Sequence, residues 1–178
     1  MALKKNITIV GLAKDYTKKI AKKFADKLEM YYADITDLIQ FDILDIAEAE
    51  KTCGKEYIRK LEASKIKTVT SYDNSVITVN YNALNNETNL NYIKQNTLLI
   101  YLRLDKDELT NKLNEDVTKV SQIKLAQTVF NERDFILSRV CDITINVKNL
   151  TDTQLIKMIG KSILDYYKRW NFWKKLLQ

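Results

Sequence analysis

Gly11 closes the apolar run Ile7-Thr8-Ile9-Val10, at the point where a phosphate-binding loop would begin. Such a loop has the form G-x-x-x-x-G-K-[ST]. Bare backbone N–H groups close around phosphates while the lysine and the hydroxyl meet phosphate and metal. Counted from Gly11, the second glycine falls on Tyr16, the lysine on Thr17 and the hydroxyl on Lys18, so three of the four defining positions are changed. Lys18 and Lys19 are the nearest cations, and Lys18 meets a phosphate only if the backbone slips by one residue. Their plainer role is a solvated, lysine-rich helix start. Gly11, Lys18 and Lys19 are what remains of a phosphate site without its cradle.

Composition removes other chemistries. Histidine is absent, which excludes His-based triads, His-ligated zinc and imidazole acid–base catalysis. The two cysteines, Cys53 and Cys141, have no metal or redox spacing, and a reducing cytoplasmic setting fits them. Three glycines and no proline leave few places where backbone can approach a phosphate closely. A length of 178 residues, 46% hydrophobic and 29% charged, fits one ordinary globular domain. The net charge of +6 permits anionic partners, but the lysines are spread along the chain. No apolar stretch has signal-peptide form or approaches the roughly 20 residues of a membrane span.

The elements that must position these residues follow from pattern. Strand-like runs alternate with helical ones, which predicts an α/β fold with a mainly parallel sheet. The first strand covers about Asn6–Gly11, and a helix from near Thr17 to Glu29 turns Ile20, Phe24 and Leu28 inward. A short strand, Met30–Ala33, ends in Asp34, and helical patterns cover roughly Asp37–Thr52 and Lys55–Ile66. A third strand near Val76–Val79 precedes an Asn-rich loop. Thr97–Leu102 is nearly all apolar, as a central strand covered on both faces should be. A short helix over Asp105–Asn114 points Leu109 and Leu113 inward, and a further helix runs to Arg133. Asp142–Val147 alternates as an edge strand would. Thr151 and Gln154 have capping-box spacing and open a last helix.

This order of elements, with five local words, resembles the shikimate kinase family over about residues 5–165. The words are Ile7–Leu12, Ala33–Ile39, and Gly54–Glu62, which is similar to the family's G-E-x-x-F-R-x-x-E helix start. They continue with Leu99–Leu104 plus Asp107-Glu108-Leu109, and Glu132-Arg133-Asp134 followed by Val140–Thr144. The resemblance implies a P-loop kinase-like three-layer α/β fold in residues 1–165, with a five-stranded parallel sheet flanked by helices. It also implies a substrate region and a lid.

The resemblance assigns roles to further positions. Asp34 keeps the first, magnesium-side place of the family's D-x-D segment, but Thr36 stands in the second and cannot act as a carboxylate base. Asp37 is adjacent, points elsewhere if a helix begins there, and suits the helix dipole. Arg59 matches the arginine that forks to the shikimate carboxylate, and Glu62 the glutamate that steadies it. The plainer alternative is a surface Arg–Glu helix pair. Arg133 aligns with a second substrate arginine. Asn80-Tyr81-Asn82 replaces a Gly-Gly-Gly turn, so that Tyr81 can plug the cavity. No arginine occurs between Arg103 and Arg133 to serve as the lid cation, and Lys119 offers only a point charge.

These losses point to a shikimate kinase-like protein that is inactive or severely impaired, with no catalytic residue, no metal ligand and no cofactor. Its fold would be kept for ligand or partner binding. The alternative is an active small-molecule kinase rebuilt around Lys18, Lys19 and Asp34, which alone would call for ATP and magnesium. If substrate binding survives, Arg59, Glu62, Asp34 and Arg133 carry it, with a small anionic ligand at Arg59. Residues 166–178 extend past the family's usual end and hold both tryptophans, four cations and no acid. They suit packing on the domain, a protein partner or homotypic contact more than a membrane surface or nucleic acid.

Overall fold

The computed structural model describes the backbone of residues 4–112 and 119–176, and their side chains except those of 119–122 and 170–176. The strands are β1 Asn6–Gly11, β2 Tyr31–Asp34, β3 Ser75–Thr78, β4 Thr97–Arg103 and β5 Ile143–Asn146. They form one sheet in the order β2-β3-β1-β4-β5, with every pairing parallel. The helices are α1 Lys14–Leu28, α2 Ile35–Ile43, α3 Ile46–Cys53, α4 Lys55–Thr70, α5 Glu87–Asn96, α6 Lys106–Lys112, α7 Lys119–Val140 and α8 Asp152–Leu176. The five-stranded parallel α/β sheet flanked by helices is the architecture that the sequence predicts. No described helix is long and apolar enough to cross a membrane.

The central strands are apolar because both faces are covered. β1 is buried along its whole length, and β4 from Thr97 to Leu102. The connection from β1 through α1 moves toward one edge of the sheet, and that from β3 through α5 toward the other. With both crossovers right-handed, their helices fall on opposite faces. α1 packs on β1, β2 and β3 and against α8, while α4 and α5 pack together and reach β3 and β4. Buried Asn6 fixes the entry to the sheet: its side chain donates to the Thr70 and Tyr72 carbonyls and accepts from the Ser75 amide.

Several boundaries depart from expectation. α1 starts at Lys14, three residues before Thr17, and Leu28 is 46% exposed instead of inward. The stretch read as one helix over 37–52 is two, because Leu44 turns the chain with φ 58 and ψ −58 between α2 and α3. α7 continues past Arg133 to Val140. Leu109 is buried as expected, whereas Leu113 lies outside the described residues. The capping box is made: Gln154 N donates to Thr151 Oγ1 at 3.3 Å and Thr151 N to Gln154 Oε1 at 2.9 Å. Tyr166 and Tyr167 continue α8 without a break and pack on the core, with the Tyr167 hydroxyl donating to the Lys4 carbonyl at 3.3 Å.

Candidate functional site

Because the two crossovers diverge, the carboxyl ends of β1 and β3 open into the crevice where parallel α/β sheets bind ligands. Gly11, Asp34 and Thr78 end the three strands around it. α1 begins there after only Leu12 and Ala13. Burial explains so short a link: Leu12, Ala13 and Tyr16 all belong to the hydrophobic core. Tyr16 is 9% exposed and puts its ring where the loop motif has a glycine. Lys112 of α6 stands 4.9 Å above that ring. Burial first, then the charges of Asp152 and Glu108, pushes the Tyr16 hydroxyl pKa up to about 12.

Gly11 remains glycine for a local reason. A Cβ there would lie 2.2 Å from Thr17 Oγ1, which donates to the Ala13 carbonyl at 2.8 Å. The cavity left between Gly11, Lys14, Lys18, Asp34, Thr78 and Tyr81 is small, about 30 Å³.

Lys18 does turn into this crevice. Its ammonium lies 2.5 Å from Asp37 Oδ1 and 3.5 Å from Asp34 Oδ1. Partial burial pulls its pKa down, but the Asp37 hydrogen bond and the charges of Asp34 and Asp37 outweigh it, and the net shift is upward. Asp37 stands in the first turn of α2, as its helix-dipole role leads one to expect, and its carboxylate also meets Lys18. Asp34, 5% exposed, accepts from Thr78 Oγ1 at 2.6 Å and caps α2 through the Asp37 amide at 2.9 Å. Lys19 is directed elsewhere. It pairs with Asp152 of α8 at 2.9 Å, beside Lys23 at 2.7 Å, and the hydrogen bonds from Lys23 and Lys19 hold Asp152 below the usual carboxylate range.

Arg59 and Glu62 line a separate, wider groove of about 690 Å³, shared with Lys60, Asn82, Asn85 and Asn86. It lies between α4 and the short 3₁₀ turn Tyr81–Asn85. Asp34 is not on its wall, so the structure divides the candidate substrate residues between two places. Glu62 does not steady Arg59, which is 67% exposed and pairs with Glu56 at 3.7 Å. Glu62 instead makes a long 3.5 Å contact with Asn89 Nδ2, and burial pushes its carboxyl pKa above the usual range. Asn89 Oδ1 is a buried acceptor with no partner among the described residues. Arg133 holds its guanidinium 5.6 Å over the Tyr81 ring and donates to Asn85 Oδ1 at 3.2 Å. Tyr81 also lines the small crevice and so marks its boundary with the groove. The side chain of Lys119 lies outside the described residues.

The sequence reading missed one ionic cluster. Arg103, closing β4, forks onto Asp134 of α7 through Nε and Nη2, each at 2.7 Å, and the Tyr101 hydroxyl donates to the same carboxylate at 3.1 Å. The available signal was a cation ending an apolar strand, with Asp105 and Asp107 nearby as the acids that local spacing would offer it. Its partner stands 31 residues further on, where spacing rules do not reach.

A family model described as Shikimate kinase matches residues 18–164, starting after the link between β1 and α1. Shikimate kinase from Bacteroides thetaiotaomicron has the same fold, with a TM-score of 0.75 and 18% identity, over 93% of this chain and 98% of that one. Shikimate kinase from Acinetobacter baumannii, solved in complex with shikimate, gives 0.76 and 19% over 90% and 93%. The YorR protein of Bacillus subtilis, solved with phosphorylated GDP, is more distant at 0.54 and 16% over 86% and 92%. No curated protein matches the chain closely enough to count as a relative.

Proposed function

We propose a role without phosphoryl transfer for this chain, which belongs to the shikimate kinase family. The observation that carries the reading is the two-residue link Leu12-Ala13, with Tyr16 packed in the core immediately beyond it. Phosphoryl transfer asks a protein for a backbone cradle, a lysine, metal-side carboxylates and a lid cation. A cavity of about 30 Å³ among the described residues is small for a magnesium nucleotide, and Lys18 and Lys19 are matched to carboxylates, although Lys14 also lines the crevice. Asp34 is committed to Lys18, Thr78 and the amino end of α2. Removing one oriented donor from such a site costs ~3–4 kcal/mol of transition-state stabilisation, and several are missing together.

What the fold keeps is the polar groove at Arg59. An exposed guanidinium suits a carboxylate through two parallel hydrogen bonds, and Asn82, Asn85 and Asn86 offer amides to hydroxyls. The groove therefore suits a small hydroxylated carboxylate, and shikimate, bound by the Acinetobacter relative, is the first compound to offer. Calorimetric titration with MgATP and MgADP should give no heat of binding, and a coupled ADP-release assay with shikimate should give no turnover. Micromolar nucleotide affinity would overturn the reading, and turnover lost in Lys18→Met would establish a rebuilt active site instead. Shikimate binding, if seen, should weaken at least tenfold in Arg59→Leu.

A further inference from the structure

We propose that the Arg59 groove takes a zwitterion, Arg59 holding its carboxylate and Glu62 its ammonium, so that the ligand is a hydroxylated amino acid. This rests on the groove being the ligand site, and deepens that reading by adding an amine to the ligand.

The groove is balanced in charge: Arg59 and Lys60 stand around it with Glu56 and Glu62. Glu56 meets Arg59 at 3.7 Å in a pair exposed on both sides, which a ligand displaces at little cost. Glu62 is different. It pairs with no cation among the described residues, and burial pushes its carboxyl pKa up with no neighbouring charge to offset it. Its contact with Asn89 Nδ2 is long, at 3.5 Å, and that amide also donates to the Ala83 carbonyl at 3.3 Å. Asn89 follows directly on Asn86 and Thr88, which line the groove. It is 1% exposed, and its Oδ1 has no donor among the described residues.

Two neighbouring acceptors are therefore short of donors, and one of them carries a charge. A carboxylate drawn out of water costs free energy until a cation pairs with it. Hydrogen bonds between ionised groups are roughly twice as strong as neutral ones. A ligand hydroxyl brings one hydrogen and no charge. An ammonium brings a full charge and three hydrogens, enough for Glu62 and for the side-chain carbonyls of Asn82 or Asn85 on the same groove. Arg59, with its guanidinium in solvent, takes a carboxylate through two parallel N–H groups. A zwitterion leaves this neutral groove neutral, whereas a simple anion leaves Glu62 unpaired beside it.

Serine, isoserine and glycerate test this on one carbon skeleton: the first two carry an ammonium at successive carbons, and glycerate has a hydroxyl at both. In NMR titrations of the isotope-labelled full chain, the better of the two amines should bind about tenfold more tightly than glycerate, the worth of a hydrogen bond to a charged group. It should also shift the side-chain amide resonance of Asn89, which glycerate leaves in place. Glu62→Gln keeps the shape of the side chain and removes its charge, so it should abolish the preference. Arg59→Leu should weaken amine and glycerate alike. The proposal is overturned if glycerate binds as tightly as both amines, or if the preference survives in Glu62→Gln. Shikimate binding with no amine binding overturns it as well, and leaves the groove reading standing. If neither shikimate nor any of the three probes binds, both readings fall. The comparison of probes uses the unaltered chain, so it decides the matter even where Glu62→Gln fails to fold.

Discussion

Gly11 and Thr17 share one small volume, and this alone requires a glycine at the end of β1, whether or not a phosphate binds there. The threonine hydroxyl reaches the Ala13 carbonyl through the space a Gly11 side chain would fill. Gly11→Ala should therefore lower stability by about 1–3 kcal/mol, the usual cost of overpacking. Gly11→Ala/Thr17→Ala should recover most of that loss, because the 2.2 Å clash is with the hydroxyl oxygen. Urea denaturation of the two single variants and the double reads the coupling directly. If the alanine costs as much with Thr17 gone, this account of Gly11 fails.

The elements around the crevice are joined by side chains rather than by a loop. Lys18 of α1 reaches Asp34 at the end of β2 and Asp37 in the first turn of α2, so one ammonium ties together three consecutive elements. Asp34 is 5% exposed, and without Lys18 its charge would keep only the Thr78 hydroxyl and the Asp37 amide. Lys18→Met should cost about 1–3 kcal/mol, the range for depriving a buried carboxylate of a charged hydrogen-bonded neighbour. Adding Asp34→Asn should recover part of it, again by denaturant titration. A loss in Lys18→Met that Asp34→Asn only deepens would mean the lysine acts through Asp37 alone.

Across the whole molecule, several buried protons resist alkali. Burial, with the Asp142 charge, pushes the Cys141 thiol up to about 12, and burial with Asp152 and Glu108 does the same to Tyr16. Tyr101 is raised as well, by burial and by Asp134. The folded chain then holds these protons more tightly than the unfolded chain does, so their contribution is complete below the unfolded values of roughly 8.5 for Cys and 10 for Tyr. It falls as pH rises through the folded values, at ~1.4 kcal/mol per pH unit for each proton released only on unfolding. Lys4, whose pKa burial lowers, acts with the opposite sign and offsets a little of this. Stability measured by urea should thus decline from about pH 9 toward 12. Cys141→Ala should flatten the lower part of that curve and Tyr16→Phe the upper, and an unchanged slope in both would refute these assignments.

The parallel sheet was legible in the residues because its central strands are apolar runs punctuated by helical periods. Thr97–Leu102, Ile7–Val10 and the Thr151–Gln154 box needed no distant partner to declare themselves. The missing glycines and the missing lid arginine were equally plain, since an absent residue type cannot be restored by folding. Tertiary structure decided what occupies the vacated space. Helix α1 began at Lys14 because burying Leu12, Ala13 and Tyr16 prevails over the solvated lysine-rich start that local pattern suggested. Where Lys18, Lys19, Asp37 and Glu62 point depended on carboxylates and amides brought near by the crossovers, not by spacing along the chain. Patterns along a chain report which surfaces must be buried. Electrostatic partners separated by tens of residues are chosen only when the layers close.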